Sequence, residues 1–392
     1  MSKIIKLAIA GVGTVGKAVV QSLTENHTQL LEKFAVDFQI TGISSRSEKN
    51  IPNIQWFKNP QDLLANADII IELMGGEDDP AYSLCKNALL AGKTVITANK
   101  ALIAKHGNEL EKLAQENNSI LCYEAAVAGA IPVIASIKES LSFNKIKKIK
   151  AILNGTCNYI LTEMEEHDAD FDATLKKAQD LGYAEADPTL DIGAIDAAHK
   201  IAILSSLAYN CQIDFESVAI TPLTIITKDI IALAKKANLK IRLVAESESN
   251  NDIVSHKVEP IFLAKSHFLS AINGSLNAVK IKTDLAKETL LIGHGAGGEP
   301  TASAVLGDLY KAISCNNDVS LHKREIQYAK AQILPPKYVI LYKGDSSKLP
   351  QDNIIKSVSS PEQDLLIIKE QDKDALISQM DSDKFDIFSL YE

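Results

Sequence analysis

Residues 4–16 read Ile4-Ile5-Lys6-Leu7-Ala8-Ile9-Ala10-Gly11-Val12-Gly13-Thr14-Val15-Gly16, and a run with helical spacing follows from Lys17 to Phe34. A short apolar run that ends abruptly in turn residues reads as a buried strand. Glycines spaced G-x-G-x-x-G between a strand and a helix form a dinucleotide-binding turn. Gly11 permits the tight turn, Gly13 lets the backbone approach a pyrophosphate, and Gly16 lets the helix pack closely on the strand. The helix start then offers free N–H groups and a positive dipole to phosphates. Gly11, Val12, Gly13, Thr14, Val15 and Gly16 are therefore the predicted cofactor-binding residues. The plain alternative is a tight turn with no ligand; the strand–turn–helix context weighs against it.

Strand and helix signals keep alternating downstream. Phe38–Ser45, Ile54–Phe57, Asp68–Leu73, Thr94–Ala98 and Ser119–Glu124 read as strands, and Pro80–Ala91 and Leu102–Asn117 as helices. Such alternation predicts an α/β domain with a doubly wound parallel sheet of the Rossmann type over residues 1–130. The second strand ends Ile43-Ser44-Ser45-Arg46. An NAD site would place an acid there for the ribose hydroxyls. With Arg46 instead, and Lys58 after the next strand, the reading is NADP in preference to NAD, through a charge-assisted bond to the 2′-phosphate. A merely solvated Arg46 is the alternative.

From residue 131 the pattern changes to α+β. Lys145–Leu153 reads as a strand, followed by the loop Asn154-Gly155-Thr156 and the helices Cys157–His167 and Asp172–Leu181. A long helix from about Ile192, a helix Lys228–Asn238 and strands at Lys240–Ser247, Val254–Ile261, Ala271–Ser275 and Asn277–Ile281 come next. This predicts a second domain over 131–300. Helix Thr301–Ile313 is expected to pack back on the first domain, and 317–392 to form a small C-terminal α+β region.

Residues 185–200 place Glu185, Asp187, Asp191, Asp196 and Lys200 among mostly small or apolar neighbours. Asp196 and Lys200 are four apart and share a helix face. The helix continues as Ile201-Ala-Ile-Leu-Ser-Ser-Leu-Ala-Tyr209, too apolar to face solvent. A buried ion pair costs desolvation energy, so two readings stand: a structural pair, or a pair used in chemistry. Lys100, after Thr94-Val-Ile-Thr-Ala-Asn99, lies just past a strand's C-terminal end, where open parallel sheets bind ligands. It reads as a surface lysine or as a cleft lysine. Two lysines from different domains would stabilise a forming alkoxide and supply its proton.

The bulk composition narrows the classes. The chain has 392 residues, 46% hydrophobic and 23% charged, with a net charge of −9. That balance argues against nucleic acid or an acidic membrane surface as partner. The five cysteines (Cys85, Cys122, Cys157, Cys211, Cys315) are dispersed and form no C-x-x-C pair, which suits a reducing compartment. The N-terminus lacks a signal-peptide pattern and no apolar run approaches the ~20 residues of a membrane span. The expectation is a cytoplasmic protein.

Together these segments resemble homoserine dehydrogenases. The resemblance covers roughly residues 1–315 and rests on Gly11–Gly16, Ile71-Glu-Leu-Met-Gly-Gly76, Thr97-Ala-Asn-Lys100 and Tyr123-Glu-Ala-Ala-Val-Ala-Gly-Ala-Ile-Pro132. It continues through Asn154-Gly-Thr-Cys-Asn-Tyr-Ile-Leu161, Gly182-Tyr-Ala-Glu-Ala-Asp-Pro188, Asp191–Lys200 and Gly293-His-Gly-Ala-Gly-Gly-Glu-Pro-Thr-Ala302. It implies interconversion of L-aspartate 4-semialdehyde and L-homoserine with NAD(P)H, on the route to threonine, methionine and isoleucine, in a homodimer. By the same resemblance, Lys200 is the proton donor and Lys100 its partner. Glu185 binds the substrate amino group, Asp191 and Asp196 shape the pocket, and Asn154, Gly155 and Thr156 form a loop at substrate and nicotinamide. Glu124, Val127, Gly129 and Ile131 match a site for a monovalent cation such as sodium, although Glu124 reads equally as a hinge carboxylate.

Two features depart from the family pattern. Ala194 stands where glycine is usual, one methyl that either crowds the pocket or is harmless. Many bacterial members end in an ACT regulatory domain with an acid–Pro–Gly loop; here Lys343-Gly-Asp-Ser-Ser347 follows a strand instead. The tail reads as a shortened or diverged ACT-like module, which leaves threonine feedback open. The competing functions are a catalytically silent NADP-binding sensor of the same fold and a dehydrogenase of another small amino acid or semialdehyde.

Overall fold

The structure, a computed structural model, describes residues 3–212, 214–250, 253–314, 337–380 and 384–391, with a short strand at Gln327–Tyr328. In chain order the first elements are β1 (Lys3–Ala10), α1 (Thr14–Glu25), α2 (His27–Phe34), β2 (Val36–Ser44) and β3 (Gln55–Phe57). They are followed by β4 (Ile69–Glu72), α3 (Ala81–Leu90), β5 (Thr94–Thr97), α4 (Lys100–Glu116) and β6 (Leu121–Cys122). The six strands lie in the order β3-β2-β1-β4-β5-β6, all parallel. The order reverses between β1 and β4, so a crevice opens at their C-terminal ends. The α/β expectation for this half holds.

Two local expectations do not. Residues 17–34 are not one helix: Asn26 breaks it, its side chain donating to the Ser22 carbonyl at 2.9 Å, a local bond that competes with helix propagation. Ser119–Glu124 contributes only the two residues of β6, and Glu124 opens a 3₁₀ turn instead.

The second unit contains α5 (Val133–Ala135), β7 (Ile146–Ile152), α6 (Gly155–His167), α7 (Phe171–Asp180), α8 (Thr189–Ile192) and α9 (Ile195–Tyr209). Then come β8 (Ala219–Ile220), α10 (Lys228–Ala237), β9 (Leu239–Asn250), β10 (Ile253–Ala264), β11 (Leu276–Thr283), β12 (Glu288–His294), α11 (Gly298–Ser314) and β13 (Gln327–Tyr328). The tail adds β14 (Lys337–Tyr342), β15 (Ile354–Ser359), β16 (Asp364–Lys369), α12 (Lys373–Ile377) and β17 (Phe385–Tyr391). Their main sheet runs β12-β11-β7-β9-β10-β17-β14-β16-β15, with β8 and β13 also pairing β10.

The tail therefore extends the second sheet: β17 pairs β10 in parallel through Leu390 and Tyr391. Numbered within the tail, its strands lie 4-1-3-2 with antiparallel neighbours, the order of a ferredoxin-like unit. Two 3₁₀ turns, Ser346–Lys348 and Gln351–Asn353, stand where its first helix would be. This is the shortened α+β module the sequence suggests. Cys315 lies outside the described residues; Cys85, Cys122, Cys157 and Cys211 are buried.

Three differences in the middle of the chain have identifiable causes. Ala271–Ser275 is not a strand, because Asn158 Nδ2 takes the Ile272, Gly274 and Leu276 carbonyls. β12, unforeseen in the sequence, pairs with β11 as the sheet's edge. The long helix from Ile192 is two helices, α8 and α9, separated by Gly193 and Ala194.

Packing sets the site. α9 is buried along almost its whole length against β7, β9 and β10 on one side and α4 on the other. Helix α11 returns to the first sheet, where Ala302, Val305 and Leu309 pack with Val19, Val20 and Leu23 of α1.

Candidate active site

The glycine turn has the geometry its spacing demands. Gly11 has φ +100°, and a Cβ there would fall 2.4 Å from the Leu73 carbonyl. A Cβ on Gly16 would fall 2.1 Å from the Gly11 carbonyl oxygen, so only glycine lets α1 sit this close. A Cβ on Gly13, by contrast, would meet open space, which leaves room for a ligand to reach its backbone. Thr14 packs against Gly298 of α11, and Val15 lines the adjoining cleft. Arg46 and Lys58 are exposed, just beyond the C-terminal ends of the neighbouring strands β2 and β3.

The cleft has a volume of about 360 Å³ and lies between the two units. Lys100, Glu185 and Lys200 line it together with Val15, Gly75 and Gly295. The lysines meet because α4 begins at Lys100 and packs on α9, which carries Lys200. Their link is Asp196. Its Oδ1 is 2.9 Å from Lys100 Nζ, and its Oδ2 accepts from Lys200 Nζ at 2.8 Å. Lys200 also donates to the Leu153 carbonyl at 2.8 Å. Burial alone would raise the Asp196 carboxyl; the two ammonium groups overcome it and hold the group well below the usual carboxylate range. Asp196 in turn raises the Lys100 ammonium.

Asn154 completes this cluster. As N-cap of α6 its Oδ1 accepts the Cys157 N–H at 2.7 Å, while Nδ2 donates to Asp191 at 2.7 Å and to Asp196 at 2.9 Å. Burial, with Asp196 alongside, pushes the Asp191 carboxyl up. Gly155 sits against Ser275, where a Cβ would fall 2.7 Å from a carbonyl oxygen. Thr156 Oγ donates to the Tyr183 carbonyl at 2.6 Å and so holds the loop that presents Glu185. His199, beside Lys200, stacks on Phe215 at 4.3 Å between ring centroids.

A second network fixes Lys100 from below, and the sequence motifs do not announce it. Glu72, fully buried at the end of β4, accepts the Met74 N–H at 2.7 Å and the Thr97 hydroxyl at 2.6 Å. Thr97 accepts the Asn99 N–H at 2.9 Å. Asn99 caps α4 through Leu102 N and donates to the Gly76 carbonyl at 2.6 Å. Asn99 is legible as an N-cap immediately before a helical run; Glu72 falls within the Ile71–Gly76 segment that carries the family resemblance, but its bonding to Met74 and Thr97 is not readable there.

The segment 124–131 forms a tight turn with left-handed backbone at Ala128 and Gly129. The Glu124 carboxylate accepts the Ile134 and Ala135 N–H groups at 2.8 and 2.6 Å. Asp308 of α11 accepts the Glu124 N–H at 2.8 Å, and burial pushes its carboxyl up to about 7. No cluster of three or more His, Cys, Asp or Glu side chains suited to a metal occurs among the described residues.

The comparisons with known proteins agree with this geometry. A family model described as "Homoserine dehydrogenase, NAD binding domain" matches residues 11–124, and one described as "Homoserine dehydrogenase" matches 132–310. The homoserine dehydrogenase of Lactococcus lactis is 36% identical over 348 residues, covering 86% of this chain and 81% of that protein. The chain belongs to the homoserine dehydrogenase family. The family member from Helicobacter pylori is 40% identical over 314 residues, covering 79% of this chain and 74% of that protein. The crystal structure of a homoserine dehydrogenase from Thiobacillus denitrificans superposes with a TM-score of 0.89 at 30% identity, over 100% of this chain and 99% of that one. A hyperthermophilic archaeal homoserine dehydrogenase in complex with NADPH gives 0.67 at 29% identity, over 79% and 98%. The chain is accordingly an oxidoreductase with homoserine dehydrogenase activity and a nicotinamide-dinucleotide domain. Neither a silent sensor nor a dehydrogenase of another amino acid is favoured. Among the described residues no helix is long and apolar enough to cross a membrane.

Proposed function

We propose that the cleft interconverts L-aspartate 4-semialdehyde and L-homoserine in threonine, methionine and isoleucine biosynthesis, using NADP in preference to NAD, with Lys200 handling the proton. The observation that carries this reading is the pair of ammonium groups, Lys100 and Lys200, held on the two oxygens of Asp196 at the wall of the dinucleotide cleft. Residues 11–16 would hold the pyrophosphate; the open space at Gly13 supports that fit. The bound nicotinamide supplies the two-electron chemistry.

The residues of the chain do the rest. Lys200 gives its proton to the carbonyl oxygen of the semialdehyde, or takes it from the hydroxyl of homoserine in reverse. Lys100 sits beside the same oxygen and stabilises its developing charge. Glu185 pairs with the substrate amino group, while Asp191, Asp196 and the loop Asn154-Gly155-Thr156 shape the pocket. Arg46, with Lys58, takes the 2′-phosphate.

Two further assignments follow from the same reading. A monovalent cation such as sodium would be held by Glu124, Val127, Gly129 and Ile131. Oxygen donors on a left-handed turn suit a hard cation, and burial, which raises the Glu124 carboxyl, gives a counter-charge something to offset. A cytoplasmic homodimer is the proposed state; exposed Leu285, Leu290 and Ile292 at the β12 edge support a second copy there. The deciding assay is NADP reduction on addition of L-homoserine. Turnover with homoserine and none with other hydroxy amino acids is expected; a flat trace would end the reading.

A further inference from the structure

Asn277, near the start of β11, is fully buried and pairs with Gly293 of β12. Its side-chain amide is wedged between two loops of the site. A Cβ on Gly295, which lines the cleft, would fall 2.0 Å from Asn277 Nδ2 and 2.6 Å from Oδ1. On the other side, a Cβ on Gly155 would fall 3.5 Å from Asn277 Oδ1. Gly295 bears in turn on Gly129, where a Cβ would fall 2.6 Å from the Gly295 carbonyl carbon. Gly155, Asn277, Gly295 and Gly129 thus form a continuous column from the substrate loop, under the cleft, to the turn at 124–131.

Among the described residues neither Nδ2 nor Oδ1 of Asn277 has a hydrogen-bond partner. A buried amide with its donor and acceptor both unmade is destabilising, and each such group in a native fold calls for a reason. Leucine has nearly the same shape and no such cost. Asn158, one turn into α6, differs at its donor: its Nδ2 reaches three carbonyls, and only its Oδ1 is without a partner among the described residues. The unused bonds of Asn277 face the two loops that must grip substrate and cofactor.

We infer that Asn277 is a positioning residue whose amide bonds backbone groups of the Gly295 loop and of the Asn154–Thr156 loop when the cleft is occupied. It fastens together the two loops that face the nicotinamide and the substrate. This deepens the function proposed above and rests on it. The four residues lie close enough that an added methyl would meet its neighbour at each glycine, so closure asks only for small loop shifts, and small misplacements of positioning groups carry large rate effects.

The test compares wild type, Asn277→Leu and Asn277→Ser. Thermal unfolding is read without ligand and with NADP, and steady-state kinetics with L-homoserine. For Asn277→Leu the expected ligand-free Tm is equal to or above that of wild type, the Tm rise on adding NADP is at least halved, and kcat falls 10- to 100-fold. Asn277→Ser, which keeps a donor and an acceptor, should recover part of both losses, and it carries the test alone if the leucine variant does not fold. Wild-type kcat together with a full NADP-induced Tm rise in the variants would overturn the inference. So would an Asn277→Leu variant that folds but has a ligand-free Tm well below wild type, because the amide would then already be bonded in the resting protein. Absence of homoserine turnover in wild type sinks the functional reading instead, while the NADP-induced Tm rise still reports on Asn277.

Discussion

Lys100 and Lys200, from opposite sides of the cleft, are held on the two oxygens of one carboxylate. Asp196 Oδ1 lies 2.9 Å from Lys100 Nζ and Oδ2 lies 2.8 Å from Lys200 Nζ. Two like charges this close repel; the shared anion between them offsets the repulsion and fixes their spacing. Asp196→Asn keeps the shape and removes the charge. Breaking a buried pair by neutralising one partner typically costs about 3–5 kcal/mol, so Tm should drop. Turnover should fall at least 100-fold, with NADP affinity by fluorescence titration little changed. A variant with near wild-type kcat would show that the shared carboxylate is structural only.

Lys200→Ala tests the proton step itself. General acid–base catalysis contributes about 10²–10⁴-fold, and the loss should appear in kcat with the cofactor dissociation constant intact. A loss confined to KM would assign Lys200 to substrate binding.

The contrast between these residues and the rest shows what a sequence can reveal. The glycine turn is legible because its constraints are local: Gly11 and Gly16 are forced by contacts within one strand–turn–helix unit and its adjoining strand end. The i,i+4 spacing of Asp196 and Lys200 likewise puts them on one face by helical geometry alone. That Lys100 completes the pair is not legible from spacing, because it depends on α4 packing on α9 from 96 residues away (196 − 100). The roles of Glu72 and Asn277 are hidden in the sequence for the same reason. Each is an ordinary residue in a strand, and only the neighbours brought by the sheet order make it a buried carboxylate under Lys100 or an unpaired amide under the cleft. The break at Ala194 is half legible: the missing glycine stands out in the motif, but its backbone consequence depends on the turn between α8 and α9.

That consequence gives a stability prediction. Ala194 has φ +63° and is fully buried, and it is absent from the cleft wall. A left-handed conformation costs a non-glycine residue about 1–2 kcal/mol. The departure from the family pattern therefore strains the backbone and does not crowd the substrate. Ala194→Gly should stabilise the fold by about 1 kcal/mol in urea unfolding and leave KM for homoserine unchanged. A lowered KM would instead place the methyl in the pocket.

The proposed preference for NADP turns on Arg46, exposed just beyond the end of β2. A hydrogen bond to a charged group is worth about 1.5–3 kcal/mol. Arg46→Ala should therefore raise KM for NADP by roughly 10- to 100-fold while kcat/KM with NAD changes little. Equal losses with both cofactors would mean that Arg46 serves the fold or the shared part of the dinucleotide. Lys58→Ala should act in the same direction and more weakly, since a lysine offers a point charge rather than a fork.

The pH dependence of stability has a specific contributor away from the cleft. His256 on β10 is buried, with Ser217 and Ser205 hydroxyls at its ring nitrogens and Asp214 as the nearby charge. Burial pushes its pKa down to about 4 from an ordinary 6.5, only partly opposed by Asp214. The folded protein thus holds this ring neutral where the unfolded chain would protonate it. With the folded pKa depressed, the contribution to stability is full above about pH 6.5 and is lost as pH falls toward about 4, at about 1.4 kcal/mol per pH unit. Carboxylates titrate in the same window, so the decisive quantity is the difference between wild type and His256→Gln. Glutamine keeps hydrogen-bonding capacity toward the serine hydroxyls but cannot take a proton. The variant should be less stable than, or equal to, wild type at pH 7.5, and the gap should close or reverse by pH 4.5 in urea unfolding. Two stability curves that stay parallel from pH 7.5 to 4.5 would show that His256 titrates alike in the folded and unfolded chains.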